Sequence, residues 1–347
     1  MTITKTYFGT TAGAEIYLYT LTNELGYEVS ITTYGAAITT LKVPDRNGVF
    51  GDIVLGYETL DDYVRNPRYL GASCIGRHAN RIAEGRFSLN GVDYQLGRNN
   101  GPNHLHGGFN GFDKRVWNAT EDGNVLRLSY LSKDGEEGYP GNLEAVVDYG
   151  LSGNELSIEY RASTDRDTIV NLTNHSYFNL AGAGTILDHE LTLHADSFTP
   201  VSSGLIPTGE IKSVTGTPMD FRSGRRIRSE VDYDHNFILN NWDGTLRPAA
   251  RLSESTTGRV LEVLTTQPGM QFYNGNFFDG SLIGKGGVVY EKYTGLCLEP
   301  QHFPDAPNHP NFSSTILRPG EQYNEKTVIR CSSVLIRGYS SLNTSFG

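Results

Sequence analysis

The feature that most constrains this chain is its punctuation. Forty glycines and 14 prolines recur at short intervals and separate segments that alternate apolar with polar side chains. Successive side chains of a strand point to opposite faces, so alternation of period two buries one face of a sheet, while Gly and Pro supply the turns between strands. Residues 27–34 (YEVSITTY), 125–132 (VLRLSYLS), 156–160 (LSIEY), 190–194 (ELTLH) and 259–264 (RVLEVL) each read as a half-buried strand rich in β-branched and aromatic residues. Asn90-Gly91 and Gly153-Asn154 sit between such segments and predict two hairpins. Helical periodicity is nearly absent; residues 60–65 (LDDYVR), preceded by Thr59 as an N-cap, form the one short candidate. The expected fold is therefore all-β: a large β-sandwich of many stacked strands, with residues 1–347 as a single domain, since no linker or fixed-period repeat divides the chain. A doubly wound nucleotide-binding fold is not expected.

Composition narrows the function classes. Of the 347 residues, 37% are hydrophobic and 20% charged, which suits a folded core rather than disorder. The formal net charge of −10 repels a phosphate backbone, so nucleic acid is not an expected partner. The N-terminus lacks a basic segment followed by an apolar run, and no stretch of about 18 apolar residues occurs; the expectation is a soluble, cytoplasmic protein without a membrane partner. Cys74, Cys297 and Cys331 are scattered and odd in number, which predicts buried free thiols rather than disulfides or a zinc site. Sequons at Asn118, Asn171, Asn311 and Asn343 would matter only in a secreted chain.

No P-loop, G-x-G-x-x-G, H-E-x-x-H or G-x-S-x-G motif is present. Dense polar stretches remain. In Leu296-Cys297-Leu298-Glu299-Pro300, alternation puts the leucines on one face and Cys297 with Glu299 on the other, and Pro300 is expected to end the run, leaving Glu299 at a strand end as a candidate general base. The alternative is a surface or salt-bridged glutamate. His175, in TNHSYFNL, is a candidate general acid or else a structural histidine. His104 and His106 are two apart and on a strand would face the same way, able to share a metal; no glutamate follows closely as such a site would need, so no metal is expected, and a histidine-stabilised turn before Gly107-Gly108 is the plainer reading. Asn80 and Arg81 could bind hydroxyls, or Arg81 could pair with Glu84. Asp234 and His235 could face a ligand, or Asp234 could cap a turn; Gln271 could reach a ligand or be solvated. Arg222, Arg225, Arg226 and Arg228 read as a solvated face rather than a phosphate site.

Taken together, Gly76–Ile82 (GRHANRI), Leu105–Gly108 (LHGG), Thr173–Leu180 (TNHSYFNL), Asp234–Phe237 (DHNF), Gln271–Asn276 (QFYNGN) and Leu298–Pro310 (LEPQHFPDAPNHP) resemble, in this order and over nearly the whole chain, the aldose 1-epimerase (galactose mutarotase) family. The resemblance implies a supersandwich fold, no cofactor, and equilibration of the α and β anomers of free sugars such as galactose and glucose. It implies Glu299 as base and His175 as acid, with His106 at the reacting centre and Asn80, Arg81, Asp234 and Gln271 around the sugar. The implied partner is a small-molecule sugar, and the chain is expected to be a monomer or homodimer. With Glu299 ionised and His175 protonated for ring opening, activity is expected to fall at low pH as the carboxylate protonates and at high pH as the imidazolium is lost. The stretch Ser229–Asp232 looks shorter than the family pattern, and a trimmed loop there could change the wall of the sugar pocket; whether it alters substrate choice stays open at this point. Two other readings remain: a carbohydrate-binding sandwich without catalysis, and a related enzyme acting on a sugar phosphate or a non-sugar hemiacetal.

Overall fold

A computed structural model describes residues 1–66 and 74–334. The expected strands are all present. Val125–Ser132 and Arg259–Thr265 coincide with or extend the alternating segments by one residue, and Glu28–Thr32, Glu155–Thr164 and Glu190–Leu193 overlap theirs. Both hairpins form, Arg86–Leu89 with Val92–Gln95 around Asn90-Gly91 and Leu143–Ser152 with Glu155–Thr164 around Gly153-Asn154. The short helix Leu60–Arg65 forms with Thr59 at its N-cap, the threonine oxygen accepting from the Asp62 amide.

The strands assemble into three main antiparallel sheets. Thr2–Thr11, Ala14–Thr22, Glu28–Thr32, Ile38–Pro44 and Phe50–Asp52 form a five-stranded meander in chain order. A nine-stranded sheet is centred on Leu143–Ser152, Glu155–Thr164, Tyr323–Ser333 and Arg259–Thr265, so the last described strand lies between segments over 100 residues apart in the chain. A six-stranded sheet runs Tyr177–Phe178, Leu296–Gln301, Gly269–Tyr273, Asp234–Leu239, Ala195–Thr199 and Lys212–Ser213. One continuous core joins their inner faces: Leu21, Val29 and Leu41 from the meander, Leu128, Val147, Ile158 and Ile329 from the nine-stranded sheet, and Phe237, Phe272 and Leu298 from the six-stranded sheet. This is a large β-sandwich, held by the apolar faces that alternation predicts. All three cysteines are free and buried, as their spacing predicts.

The two larger sheets treat their second face differently. Glu155–Thr164 alternates buried with half-buried residues over most of its length, whereas Gly269–Tyr273 and Leu296–Gln301 are buried at every position. Loops cover the second face of the six-stranded sheet. Pro300 does not end its strand: it continues to Gln301, with Pro300 opposite Met270. The proline is tolerated because the neighbour on the other side, Tyr177–Phe178, pairs only with Cys297 and Leu296, so at Pro300 that edge needs no amide for a ladder. There the Pro300 carbonyl accepts from the Thr173 hydroxyl at 2.6 Å.

Candidate active site

Register on the covered face of the six-stranded sheet places the polar residues in two ranks. Glu299 stands opposite Gln271, which stands opposite Asn236; two residues along, Cys297 stands opposite Tyr273, which stands opposite Asp234. Leu298, Phe272 and His235 form the rank between them and face the other way. His235 accordingly turns toward Phe198, 6.1 Å between ring centroids, and takes no part in the site.

Two loop segments close over these ranks. One carries Asn80 and Arg81, the other His106, and they are tied by the short pairing of Arg81–Ile82 with His104–Leu105. The Asn80 amide donates to His106 Nδ1 and the His106 amide to the Asn80 carbonyl, both at 3.0 Å. Asn80 and His106 both have left-handed backbones, φ 60° and 52°, the kind of strain that surroundings must over-determine. The glycines after His106 have a steric cause: a Cβ on Gly107 would lie 1.7 Å from the Gly76 carbonyl oxygen. Asp305 buttresses the arrangement, its amide donating to the Arg81 carbonyl at 2.8 Å and its carboxylate accepting from the Ala83 amide at 2.9 Å.

The left-handed turn at His106 also separates it from His104, so the two do not face one way as a shared metal site would need, and the plainer reading of a turn before Gly107-Gly108 holds. His104 Nδ1 bonds the Gly97 carbonyl and Nε2 the Tyr139 hydroxyl, each at 2.7 Å, so His104 is structural. His106 instead joins His175, 5.0 Å between ring centroids, and His175 Nε2 lies 3.6 Å from Glu299 Oε1. His106, His175 and Glu299 bring one donor atom each within 4.8 Å of one another. A metal-binding histidine donates the N–H of its second ring nitrogen to an acceptor. His106 Nδ1 does the reverse and accepts an amide N–H, so its own proton sits on Nε2, and the group is arranged for proton transfer rather than for a metal.

These three, with Asn80, Arg81 and Asp234, line a cavity of about 580 Å³. Arg81 does not pair with Glu84: its Nη1 reaches Asp234 Oδ2 at 3.4 Å and its Nε donates to Asn100 Oδ1 at 3.2 Å. Asp234 begins a strand rather than capping a turn, and its Oδ1 accepts from Gln271 Nε2 at 2.6 Å. Gln271 stands behind the wall, not in it; it is 2% exposed and supports Asp234 from the neighbouring strand. The sequence reading missed the opposite wall of Tyr177, Tyr273, Phe277 and Phe278 and the rim of Asn99, Asn100, Asn103 and Ser203. The aromatic run beside QFYNGN was visible but indistinguishable from core, and the Ser203 loop carries no signal.

Two other points from the sequence are decided by the fold. Ser229–Asp232 lies outside the cavity wall, the Ser229 carbonyl accepting from the Tyr293 hydroxyl and that of Val231 from Asn274 Nδ2, both at 3.0 Å. Of the arginines, Arg226 is exposed and paired with Asp188, and Arg222 pairs with Asp220 and Asp196, but Arg225 is built into the fold, 4.3 Å over the Phe221 ring and bonded to the Tyr233 hydroxyl at 2.7 Å and to the Pro218 carbonyl. None of the four lines the cavity.

Burial sets the electrostatics. It pushes the Glu299 carboxyl well above the ordinary carboxylate range, with the Asp234 charge adding and Arg81 opposing. It pushes His175 down to about 4, against a bond to its own backbone and the Asp234 charge, and His106 well below the usual imidazole value, with His175 and Arg81 adding. Glu299 Oε2 is fully shielded with no hydrogen-bond partner, a buried polar atom left unsatisfied at the cavity.

Comparison with known proteins agrees with this geometry. The family model "Aldose 1-epimerase" matches residues 17–330. The galactose mutarotase of Bos taurus is 50% identical over 312 residues, 88% of this chain and 91% of its own. The crystal structure of an aldose epimerase homologue from C. elegans superposes with a TM-score of 0.87 at 32% identity, over 91% of this chain and 99% of that one. That of the galactose 1-epimerase from Lactobacillus acidophilus gives 0.83 at 29% identity, over 96% and 99%. By the family match over most of its length, the chain belongs to the aldose 1-epimerase family.

Proposed function

We propose that this protein interconverts the α and β anomers of free hexoses such as galactose and glucose, by ring opening and closure, with Glu299 and His175 as the proton-transferring pair. The observation that carries this reading is their 3.6 Å separation at the floor of a cavity large enough for a sugar. For opening, Glu299 takes the proton of the anomeric hydroxyl while His175 Nε2 protonates the ring oxygen; rotation about C1–C2 presents the other carbonyl face, and closure returns both protons. The arrangement for opening (carboxylate, imidazolium) and that for closure (carboxylic acid, imidazole) hold the same single proton. The buried pair therefore never changes net charge during the cycle, which is what a low-dielectric site penalises. An imidazolium made acidic by burial is a good donor to a weakly basic ring oxygen. His106, neutral and with its proton on Nε2, offers a fixed donor to a sugar oxygen, while Arg81 and Asp234 bind hydroxyls.

The shifts reverse the assignment of the pH limbs. The pair holds one proton between the two values: below about 4 His175 gains a second proton, and the alkaline limb comes where Glu299, raised by burial, loses the last one. The low-pH limb thus belongs to the histidine and the high-pH limb to the glutamate, opposite to the reading from ordinary values.

The reaction needs no cofactor in this scheme, and we place the protein in the cytoplasm as a monomer or homodimer. A sugar-phosphate substrate gains no support, since the arginine cluster lies away from the cavity. Polarimetry on freshly dissolved α-D-galactose tests the function: purified protein without added cofactor accelerates the relaxation of optical rotation, and a rate equal to buffer alone refutes the proposal.

A further inference from the structure

The last of the six motifs has only its first half in the scheme above. Residues 298–310 supply Glu299, but the turn at residues 304–309 (PDAPNH) has no assigned role. This turn lies against residues 81–86, the segment that carries Arg81. Asp305 donates its amide to the Arg81 carbonyl at 2.8 Å, and its Oδ1 accepts the Ala83 amide at 2.9 Å. Asn308 Nδ2 donates to the Arg86 carbonyl at 2.9 Å and to Asp305 Oδ1 at 2.6 Å, so one turn holds the segment at three points.

The two bonds made by Asp305 are those of a neighbouring strand. In a parallel ladder a residue donates its amide to one residue of the adjacent strand and accepts, at its carbonyl, from the residue two further on. Asp305 donates in that way to Arg81, but its own carbonyl is committed to the turn, accepting the Asn308 amide at 2.9 Å. The carboxylate takes the carbonyl's place toward Ala83. Asp305 is 2% exposed and left-handed, φ 56°, a conformation that aspartate adopts more readily than most residues. Since the other edge of Arg81–Ile82 pairs with His104–Leu105, the short strand is held from both sides. The hold matters because the guanidinium itself is loosely gripped. Its contacts to Asp234 and Asn100, 3.4 and 3.2 Å, lie at or beyond the long end of the N–H···O range, so its place is set by the backbone that carries it.

We propose that Asp305 is a positioning residue for sugar binding: its carboxylate stands in for a strand carbonyl at Ala83 and fixes the backbone that presents Arg81 to a sugar hydroxyl. This rests on Arg81 binding the sugar, as in the proposed function. Asp305 does not line the cavity, so its effect on the sugar passes through the segment it holds. The role needs an acceptor atom rather than a charge, because the Ala83 amide and the Asn308 side chain that meet Oδ1 are neutral donors. His309 Nε2 lies 3.2 Å from the other oxygen, Oδ2.

The test reads galactose affinity by calorimetry beside kinetics, in single and double variants. Asp305→Ala raises Kd and KM for galactose about ten-fold, the scale of one lost hydrogen bond to a charged group. Its kcat stays within about two-fold, because Arg81 grips ground state and transition state alike. Asp305→Asn keeps the acceptor without the charge, so its Kd is that of the wild type. Added to Arg81→Ala, Asp305→Ala lowers kcat/KM no further, since the residue it acts through is gone. A folded Asp305→Ala with wild-type Kd overturns the proposal, and so does a double variant in which the two losses multiply, the mark of a merely structural role. An Asp305→Asn variant that binds as weakly as Asp305→Ala overturns it as well. Should Asp305→Ala fail to fold at its left-handed φ, Asp305→Gly removes the same acceptor without that strain and replaces it in both comparisons. Failure of the proposed function appears separately, as a wild type that binds galactose without accelerating mutarotation, and leaves these affinities readable.

Discussion

The nine-stranded and six-stranded sheets share one core and are built on opposite plans. Leu128, Val147 and Ile158 of the first face the core, while Glu159, Arg161 and Lys326 on its second face are partly solvated and paired across strands, Lys326 with Glu159 at 2.6 Å. The second face of the other sheet carries Glu299 and Gln271, buried under loops, and the half-buried Asp234. On the first, partial exposure leaves most polar groups open to water, although the Arg161 Nε is shielded and unpaired. On the second every polar atom has to find a partner or remain an unpaired group, and Glu299 Oε2 and Gln271 Oε1 remain unpaired. A protein that only had to fold would cover that face with apolar residues. Its polarity marks where stability is exchanged for chemistry.

The largest expected effect separates the two plans in one variant. Glu299→Gln keeps the shape and removes the base we propose, so kcat is expected to fall by about 10² to 10⁴, the scale for one positioned proton-transfer group. The same change stabilises the fold at high pH. Because Glu299 is raised in the native state, that state binds a proton the unfolded chain has lost, so the wild type loses stability as pH rises from the ordinary carboxylate value toward the native one. Glutamine carries no such penalty. Calorimetric melting at pH 8 therefore gives a higher Tm for Glu299→Gln than for wild type, with the difference vanishing near pH 4; a lower Tm at pH 8 would mean that Glu299 is part of the framework.

Leu128→Ala does the converse. Removing this fully buried side chain from the nine-stranded sheet costs about 2 to 5 kcal/mol in denaturant unfolding, while kcat for the fraction that remains folded stays at the wild-type value. A fall in kcat larger than the loss of folded protein would show that the two sheets are mechanically coupled. The pH profile sharpens the comparison further: a broad bell with its acid limb near 4 follows from burial of His175, and kcat over pH 3 to 10 measures it. A limb at an ordinary histidine value of about 6.5 would show that sugar binding leaves the site wet. The smallest effect is expected on the outer face, where Lys326→Ala breaks the pair with Glu159 and changes stability by less than about 1 kcal/mol, with activity unchanged.

Legibility in the sequence follows the same division. Where one face meets water, exposure alternates as the residues do, and Val125–Ser132, both hairpins and the Thr59-capped helix are readable residue by residue. In the six-stranded sheet the signal thins. Leu296 to Glu299 still alternates, but Pro300 reads as a stop because the sequence does not say that its neighbouring strand is only two residues long. The turn at His104–Gly108 is readable from its glycines, but that His106 rather than His104 enters the site is not, because a left-handed backbone at a non-glycine residue has no local signature. Gln271 reads as a ligand contact because only the fold shows Asp234 standing in front of it.

The residues themselves determined the all-β class, the turns, the buried thiols and which side chains are candidates for chemistry, because strand periodicity, turn conformation and donor and acceptor chemistry are properties of short segments. Only the tertiary structure decided that His106, His175 and Glu299, drawn from three distant segments, meet within 4.8 Å, that Arg81 answers Asp234, and that burial lifts the glutamate and lowers the histidines. Those outcomes depend on long-range register and on the exclusion of water, and both arise only once the sheets have stacked.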